Sequence, residues 1–384
     1  MRIRILAITL TALLATNAVA EDFGSQVRAA LASGNYQEAA RLYRQAITEG
    51  HDSPELRSNL GLVLHMSGNN REAIEQFRIA LRQKPDLTSA NLFAGLTEID
   101  LGEPKRALPL LKKARQLDPR SAAPLLALGK AYVALREYQP ANENYAKAAQ
   151  LDPQLAEAWY GVGITDRSLA EEILNQLARA GPSAGSATLQ KQAKDRLNGA
   201  LQALERAVAL DPSSSRQHLI LAESYAEAGK LVEAVPEYQA AIKLDPKSDA
   251  AYLGLATSYW RQRQFPDALP PLKRVLSSSP KDPEANAMLA DILEHDGDRD
   301  GAVLHAKTAL AGNPDIFQAH VVLGRVYLAK GEPKLAIAEL RQVEAADPDG
   351  SYHYLLYRAC KQVGDEEGAR AALAGFERLR RRDQ

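Results

Sequence analysis

The chain has 384 residues, 46% of them apolar and 25% charged, with 47 basic against 48 acidic side chains and a formal net charge of -1. That balance leaves no Lys/Arg excess for a nucleic-acid footprint, and the composition is ordinary for a water-soluble protein. The single cysteine, Cys360, rules out an internal disulfide, and its expected role is that of a small apolar core residue.

At the N-terminus, Arg2 and Arg4 form a short positive region, followed by a mostly apolar stretch from Ile5 to Leu14. Ala18-Val19-Ala20 then supplies small residues of the kind a signal peptidase needs, so residues 1–20 read as a signal peptide cleaved before Glu21. The apolar stretch is shorter than the roughly 20 residues a bilayer span requires. No later apolar run is long enough to span, so no membrane span is expected in the mature chain. A lipoprotein would carry cysteine where Glu21 stands. The expected location is periplasmic or secreted.

From about residue 22 onwards the chain repeats itself. Pro85, Pro119 and Pro153 are spaced by 34 residues, as are Pro212, Pro246, Pro280, Pro314 and Pro348. Proline cannot continue a preceding helix, so each one marks a boundary between units. Between Pro153 and Pro212 the interval is 59, which is 34 plus 25. Glycines at 34, 68, 102, 229, 297, 331 and 364 fall where the chain must reverse between two helices. Five residues later every unit has alanine: Ala39, Ala73, Ala107, Ala141, Ala200, Ala234, Ala268, Ala302, Ala336 and Ala369. Small residues there let two helices cross closely. A second small position recurs in first helices at Gly61, Gly95, Gly129, Gly163, Ala222, Ala256, Ala290 and Gly324, and Ala80 exemplifies a third, late in the second helix. Larger residues such as Trp159, Tyr225, Phe77 and Tyr145 fill the gaps.

Large apolar, Leu-Gly, Tyr, Gly, Ala, Phe/Tyr, Ala and Asp-Pro, in that order and at a 34-residue period, resembles the tetratricopeptide repeat family. The likeness covers roughly residues 22–380. It implies an all-α solenoid, a right-handed superhelix of about ten helical hairpins. The hairpins are placed at about 22–53, 54–87, 88–121, 122–155, 156–214, 215–248, 249–282, 283–316, 317–349 and 350–384, the last a C-terminal cap. One hairpin cannot bury its apolar face alone, whereas stacked hairpins share a continuous core.

The 25 extra residues fall inside the fifth unit, where the periodicity continues through Leu169, Ile173 and Leu177 and resumes at Leu189, Ala193 and Leu197. A hairpin lengthened by about 12 residues per arm is expected, with the insertion at about 169–194 and an added reach of roughly 18 Å. Gly181-Pro182-Ser183-Ala184-Gly185-Ser186 reads as its turn, because it lacks the Lys-Ser/Thr ending of a phosphate loop.

Asp296-Gly297-Asp298-Arg299-Asp300-Gly301 matches the start of a calcium loop, but the twelfth position is Lys307 rather than glutamate and the segment coincides with a repeat turn. His218, His320 and His353 share one first-helix position but lie in separate units, without zinc-ligand spacing. Neither a nucleophile–base arrangement nor a glycine fingerprint is present. No enzyme activity, cofactor or metal is expected.

By the resemblance, positions two, five, nine and twelve of first helices face a concave groove. Its candidate lining is Leu62, His65, Leu92, Leu96, Ile99, Leu126, Lys130, Val133, Tyr160, Ile164 and Arg167 in units two to five. In units six to ten it is Glu223, Leu253, Thr257, Trp260, Asp291, Glu294, Arg325, Tyr354, Arg358 and Lys361. The first set is apolar and the second strongly charged. The expected function is a protein-interaction scaffold of the cell envelope that takes a partner segment in the groove. Its partners would be one or more proteins, without nucleic acid. Alternatives are self-association into a homo-oligomer, or a glycan or small ligand stacked on Tyr160, Trp260 and Tyr354.

Overall fold

The computed structural model describes residues 18–180, 185–343, 345, 347 and 349–381, with the side chains of 18–21 and 180 excluded. Most of the leader segment, Pro348, the turn residues Gly181 to Ala184, and Arg382 lie outside the described residues. The chain forms two compact units, Met1–Pro212 and Ser213–Gln384. Among the described residues there are helices and no strands.

The N-terminal unit holds α1 (Ala18–Ala32), α2 (Tyr36–Thr48), α3 (Pro54–Met66), α4 (Asn70–Gln83), α5 (Thr88–Asp100), α6 (Pro104–Leu117), α7 (Ala123–Ala134), α8 (Tyr138–Leu151), α9 (Ala156–Ala180) and α10 (Ser186–Leu210). The C-terminal unit holds α11 (Ser215–Glu227), α12 (Leu231–Leu244), α13 (Asp249–Arg261), α14 (Phe265–Ser278), α15 (Pro283–His295), α16 (Arg299–Gly312), α17 (Phe317–Ala329), α18 (Pro333–Val343), α19 (Ser351–Val363) and α20 (Glu366–Arg380). Within each unit every helix packs on the next, and the first helices of most neighbouring hairpins also touch one another. Each unit is therefore a solenoid stack.

The repeat residues account for the packing. All ten crossing alanines, from Ala39 to Ala369, are at most 2% exposed, and Ala80 is fully buried. First-helix glycines leave room for a large side chain of the second helix. A Cβ on Gly95 would lie 2.4 Å from Leu111, one on Gly129 2.6 Å from Tyr145, and one on Gly163 2.5 Å from Leu204. Gly61 makes the same allowance for Phe77, and Gly324 for Leu340. Glycine here is a volume device rather than a turn device.

The hairpin turns use the left-handed region. Gly34, Gly68, Gly102, Gly229, Gly297, Gly331 and Gly364 have φ between +70° and +87°. Two hairpins place arginine at this point: Arg136 at φ 59° and Arg263 at φ 60°. An L-residue in that conformation costs roughly 1–2 kcal/mol. Arg263 recovers part of the cost by lying 4.5 Å over the Phe265 ring and 3.7 Å from the Asp291 carboxylate. Arg136 is exposed, and no ring or ion partner is found for it among the described residues. Arg136→Gly is expected to stabilise the protein by about 1 kcal/mol, and Arg263→Gly by less, read from urea unfolding midpoints.

Helices α9 and α10 are each 25 residues long, against 13 and 14 for α3 and α4. Their base is tied to α8. Arg196 Nη1 donates to Asp166 Oδ1 at 2.6 Å, its Nη2 donates to Gln139 Oε1 at 3.1 Å, and Asn142 Nδ2 donates to Thr165 Oγ1 at 2.9 Å. Burial pushes the Asp166 carboxyl above its ordinary value, and the adjacent Arg196 only partly offsets this.

Candidate functional site

The two rows of first helices carry different chemistry. In the N-terminal unit, Leu62, Leu92, Leu96, Ile99 and Val133 are half-buried, with one side packed on the underlying core. Tyr160, Ile164 and Arg167 are also half-buried. Lys130 is exposed and pairs with Glu157 at 2.5 Å. His65 reaches Thr97 Oγ1 at 3.2 Å and lies 3.7 Å from Asp100. Leu126 corrects the sequence reading. It is 4% exposed and belongs to the core cluster with Leu125, Tyr145 and Ala158, so it presents no free surface.

In the C-terminal unit the first helices are joined by a polar network centred on Asp291, a carboxylate whose side chain is 3% exposed. From α13, Trp260 Nε1 donates to Oδ2 at 2.8 Å. From α17, Gln318 Nε2 donates to Oδ1 at 2.8 Å, and Arg325 Nη2 binds the same oxygen. Arg325 Nη2 also lies 3.0 Å from Glu294 Oε2, while its buried Nε has no hydrogen-bond partner among the described residues. Tyr352, at the start of α19, is near enough for Asp291 and Arg325 to act on it. Burial is the main cause holding its phenol above the ordinary value, and Asp347 and Asp349 add to it.

Sequence reasoning placed Trp260, Asp291, Glu294 and Arg325 on this face but treated them as separate groove contacts. Asp291 is instead an internal anchor, and Gln318, Arg263 and Tyr352 escaped notice. Register was the available signal: Asp291 and Arg325 are one repeat apart on adjacent first helices, opposite in sign. Tyr354 and Arg358 are exposed on α19.

The histidine positions turn out to serve the junctions. His320 Nε2 faces Pro314 O at 2.9 Å and its Nδ1 faces Glu339 Oε2 at 2.7 Å. Asn91 Nδ2 donates to Pro85 O at 2.9 Å, Asn286 Nδ2 to Pro280 O at 3.1 Å and Trp159 Nε1 to Pro153 O at 3.1 Å. A side chain six residues past the proline thus satisfies a carbonyl that the helix cannot. His218 pairs with Glu237 at 2.6 Å, and His353 with Asp347 at 2.6 Å. In the calcium-like segment, Asp298 caps α16 by accepting from Gly301 N at 2.9 Å, and Asp300 pairs with Lys330 at 2.5 Å.

Sequence profiles described as tetratricopeptide repeat match residues 25–88, 67–122, 122–155, 192–249, 225–292 and 293–360. The chain belongs to the tetratricopeptide repeat family. No curated protein sequence matches it. Among solved structures it is similar to an IFIT1 monomeric mutant with Gppp-AAAA, at 17% identity and TM-score 0.50 over 82% of this chain and 68% of that one. It is also similar to PilF of Pseudomonas aeruginosa (20% identity, TM-score 0.47, 60% and 94% covered) and to MamA (23%, TM-score 0.39, 50% and 92%). The first of these likenesses bears on the fold alone. Tetratricopeptide repeat proteins are in general protein-interaction scaffolds. No helix among the described residues is long and apolar enough to cross a membrane.

Proposed function

We propose that this protein is a non-catalytic scaffold of the cell envelope that captures an apolar segment of a partner protein on the first helices of its N-terminal unit. The observation that carries this reading is the half-buried aliphatic stripe of Leu62, Leu92, Leu96, Ile99, Val133 and Ile164. Leu62, Leu92, Leu96, Ile99 and Val133 each have one side seated on the core. A half-buried apolar stripe along a row of first helices suits an amphipathic or extended segment, which would complete its burial. The location rests on Arg2, Arg4, the apolar run from Ile5 to Leu14 and the Ala18-Val19-Ala20 site, a pattern that suits export. The proposed cleavage bond after Ala20 falls within α1.

Leu96→Glu tests the surface. Its open side lets the carboxylate reach water, so circular dichroism should stay that of the wild type while cross-linking to protein neighbours in the native envelope is lost. Retention of the same neighbours by the variant would remove the stripe from the binding surface. A wild-type chain that cross-links to no protein at all would remove the scaffold reading itself.

A further inference from the structure

The second helices of the C-terminal unit expose apolar surface that repeat packing does not need. Counted from the crossing alanines Ala234, Ala268, Ala302 and Ala336, the residues two before, two after and five after fall within about 60° of one another around the helix. In α12, α14, α16 and α18 all of them are exposed. Two after the alanine stand Pro236, Pro270, Leu304 and Ala338, and two before it stand Val232 and Pro266 in the first two of these helices. Val232 at 72%, Leu304 at 64% and, on the margin of this face, Leu335 at 49% are the three most exposed large apolar side chains among the described residues. Cations share the face. Lys273, Lys307 and Arg341 lie five after the alanine, and Lys334 and Lys243 stand on the same side of their helices. The four lysines make no ion pair among the described residues, while Arg341 lies 3.8 Å from Asp365. Anions are fewer. Asp300 is paired with Lys330 at 2.5 Å, and Glu233 and Asp267 stand at the marginal position that Leu335 also occupies.

We propose that this outer face of the C-terminal unit binds an anionic lipid surface, with Val232, Leu304 and Leu335 seated among the headgroups and the free lysines paired with lipid phosphates. Charge and dispersion select the occupant. The cations and apolar tips are spread over four helices at the repeat spacing, so no single site gathers them. A headgroup layer is fluid and meets dispersed lysines one by one, and it takes up apolar side chains that a water-soluble anion would leave in water. A nucleic acid would want stacking platforms, and none of these positions holds an aromatic ring. A second copy of this chain, meeting the face isologously, would bring the same unpaired lysines against it.

The test sediments the full chain with vesicles of phosphatidylcholine, alone or mixed with phosphatidylglycerol. The wild type should pellet with the anionic vesicles, much less with the neutral ones, and be released as salt rises. The segment carrying Arg2 and Arg4 is common to every variant, so differences between variants read this face alone. Lys273→Glu with Lys307→Glu should weaken binding to the anionic vesicles by more than about tenfold. Val232→Ser with Leu304→Ser should weaken it by a smaller factor. Circular dichroism should be unchanged in both, because all four side chains are exposed. The proposal is overturned if the wild type ignores anionic vesicles, if neutral vesicles bind it as well, or if either double variant binds like the wild type. It is also overturned if a single-stranded oligonucleotide or a Glu-rich peptide, at a charge concentration equal to that of the lipid, strips the wild type from the vesicles. None of these substitutions touches the aliphatic stripe of the N-terminal unit, so failure here leaves the scaffold reading and its cross-linking test standing.

Discussion

Asp291→Ala is expected to lower stability by about 3–5 kcal/mol, the cost of removing one partner from a buried, hydrogen-bonded charge network. The carboxylate is 3% exposed and accepts from Trp260, Gln318 and Arg325, so its loss leaves three donors without their acceptor at once. Glu294 remains to hold Arg325, which keeps the effect towards the lower end of that range. Because the donors come from α13 and α17 on either side of α15, hydrogen exchange should accelerate across 249–329 more than in α19 or α20. Asp291→Asn keeps the shape but turns one acceptor into a donor facing a donor, so an intermediate loss is expected. A double-mutant cycle with Arg325→Ala measured by urea unfolding separates the pair from the rest. Additive losses would mean that Asp291 acts through Trp260 and Gln318 alone.

Much of the fold was legible because the constraints are steric and recur at a fixed period. Proline at 34-residue spacing, alanine at every crossing and glycine at most turns each have one physical reading, and eight, ten and seven copies of them leave little freedom. Arg136 and Arg263 are the instructive exceptions, since nothing local in the sequence announces an arginine in the left-handed region. The functional surface was less legible. Position within a first helix places a residue near the inner face, but whether its side chain is covered depends on its neighbours in three dimensions. Asp291 and Tyr354 were both read as lining a groove. One is sealed beneath Trp260 and Arg325, and the other is exposed on α19. Register gives the column a residue belongs to, and packing decides which members of that column meet solvent.

Leu126 and Leu96 make that difference measurable with one substitution at two positions. Both were assigned to the same apolar stripe. Leu126 is 4% exposed and packs with Leu125, Tyr145 and Ala158, whereas Leu96 is half-buried at the margin of its clusters. Leu126→Ala should cost about 2–5 kcal/mol through lost burial and the cavity left behind. Leu126→Glu adds an unpaired carboxyl in an apolar setting, which must either be neutralised or draw water into the core. Its loss should exceed that of the alanine variant and shrink at acid pH, where the carboxyl is neutral. The sign follows from burial, which disfavours the charged form, so the folded state is penalised more as pH rises. Leu96→Glu can turn its carboxylate outward and should lose no more than about 1–2 kcal/mol, with little pH dependence. Urea unfolding of both variants at acid and neutral pH reads the contrast directly. Equal losses at the two sites would place Leu96 in the core as well, and the aliphatic stripe would then offer a partner no open surface.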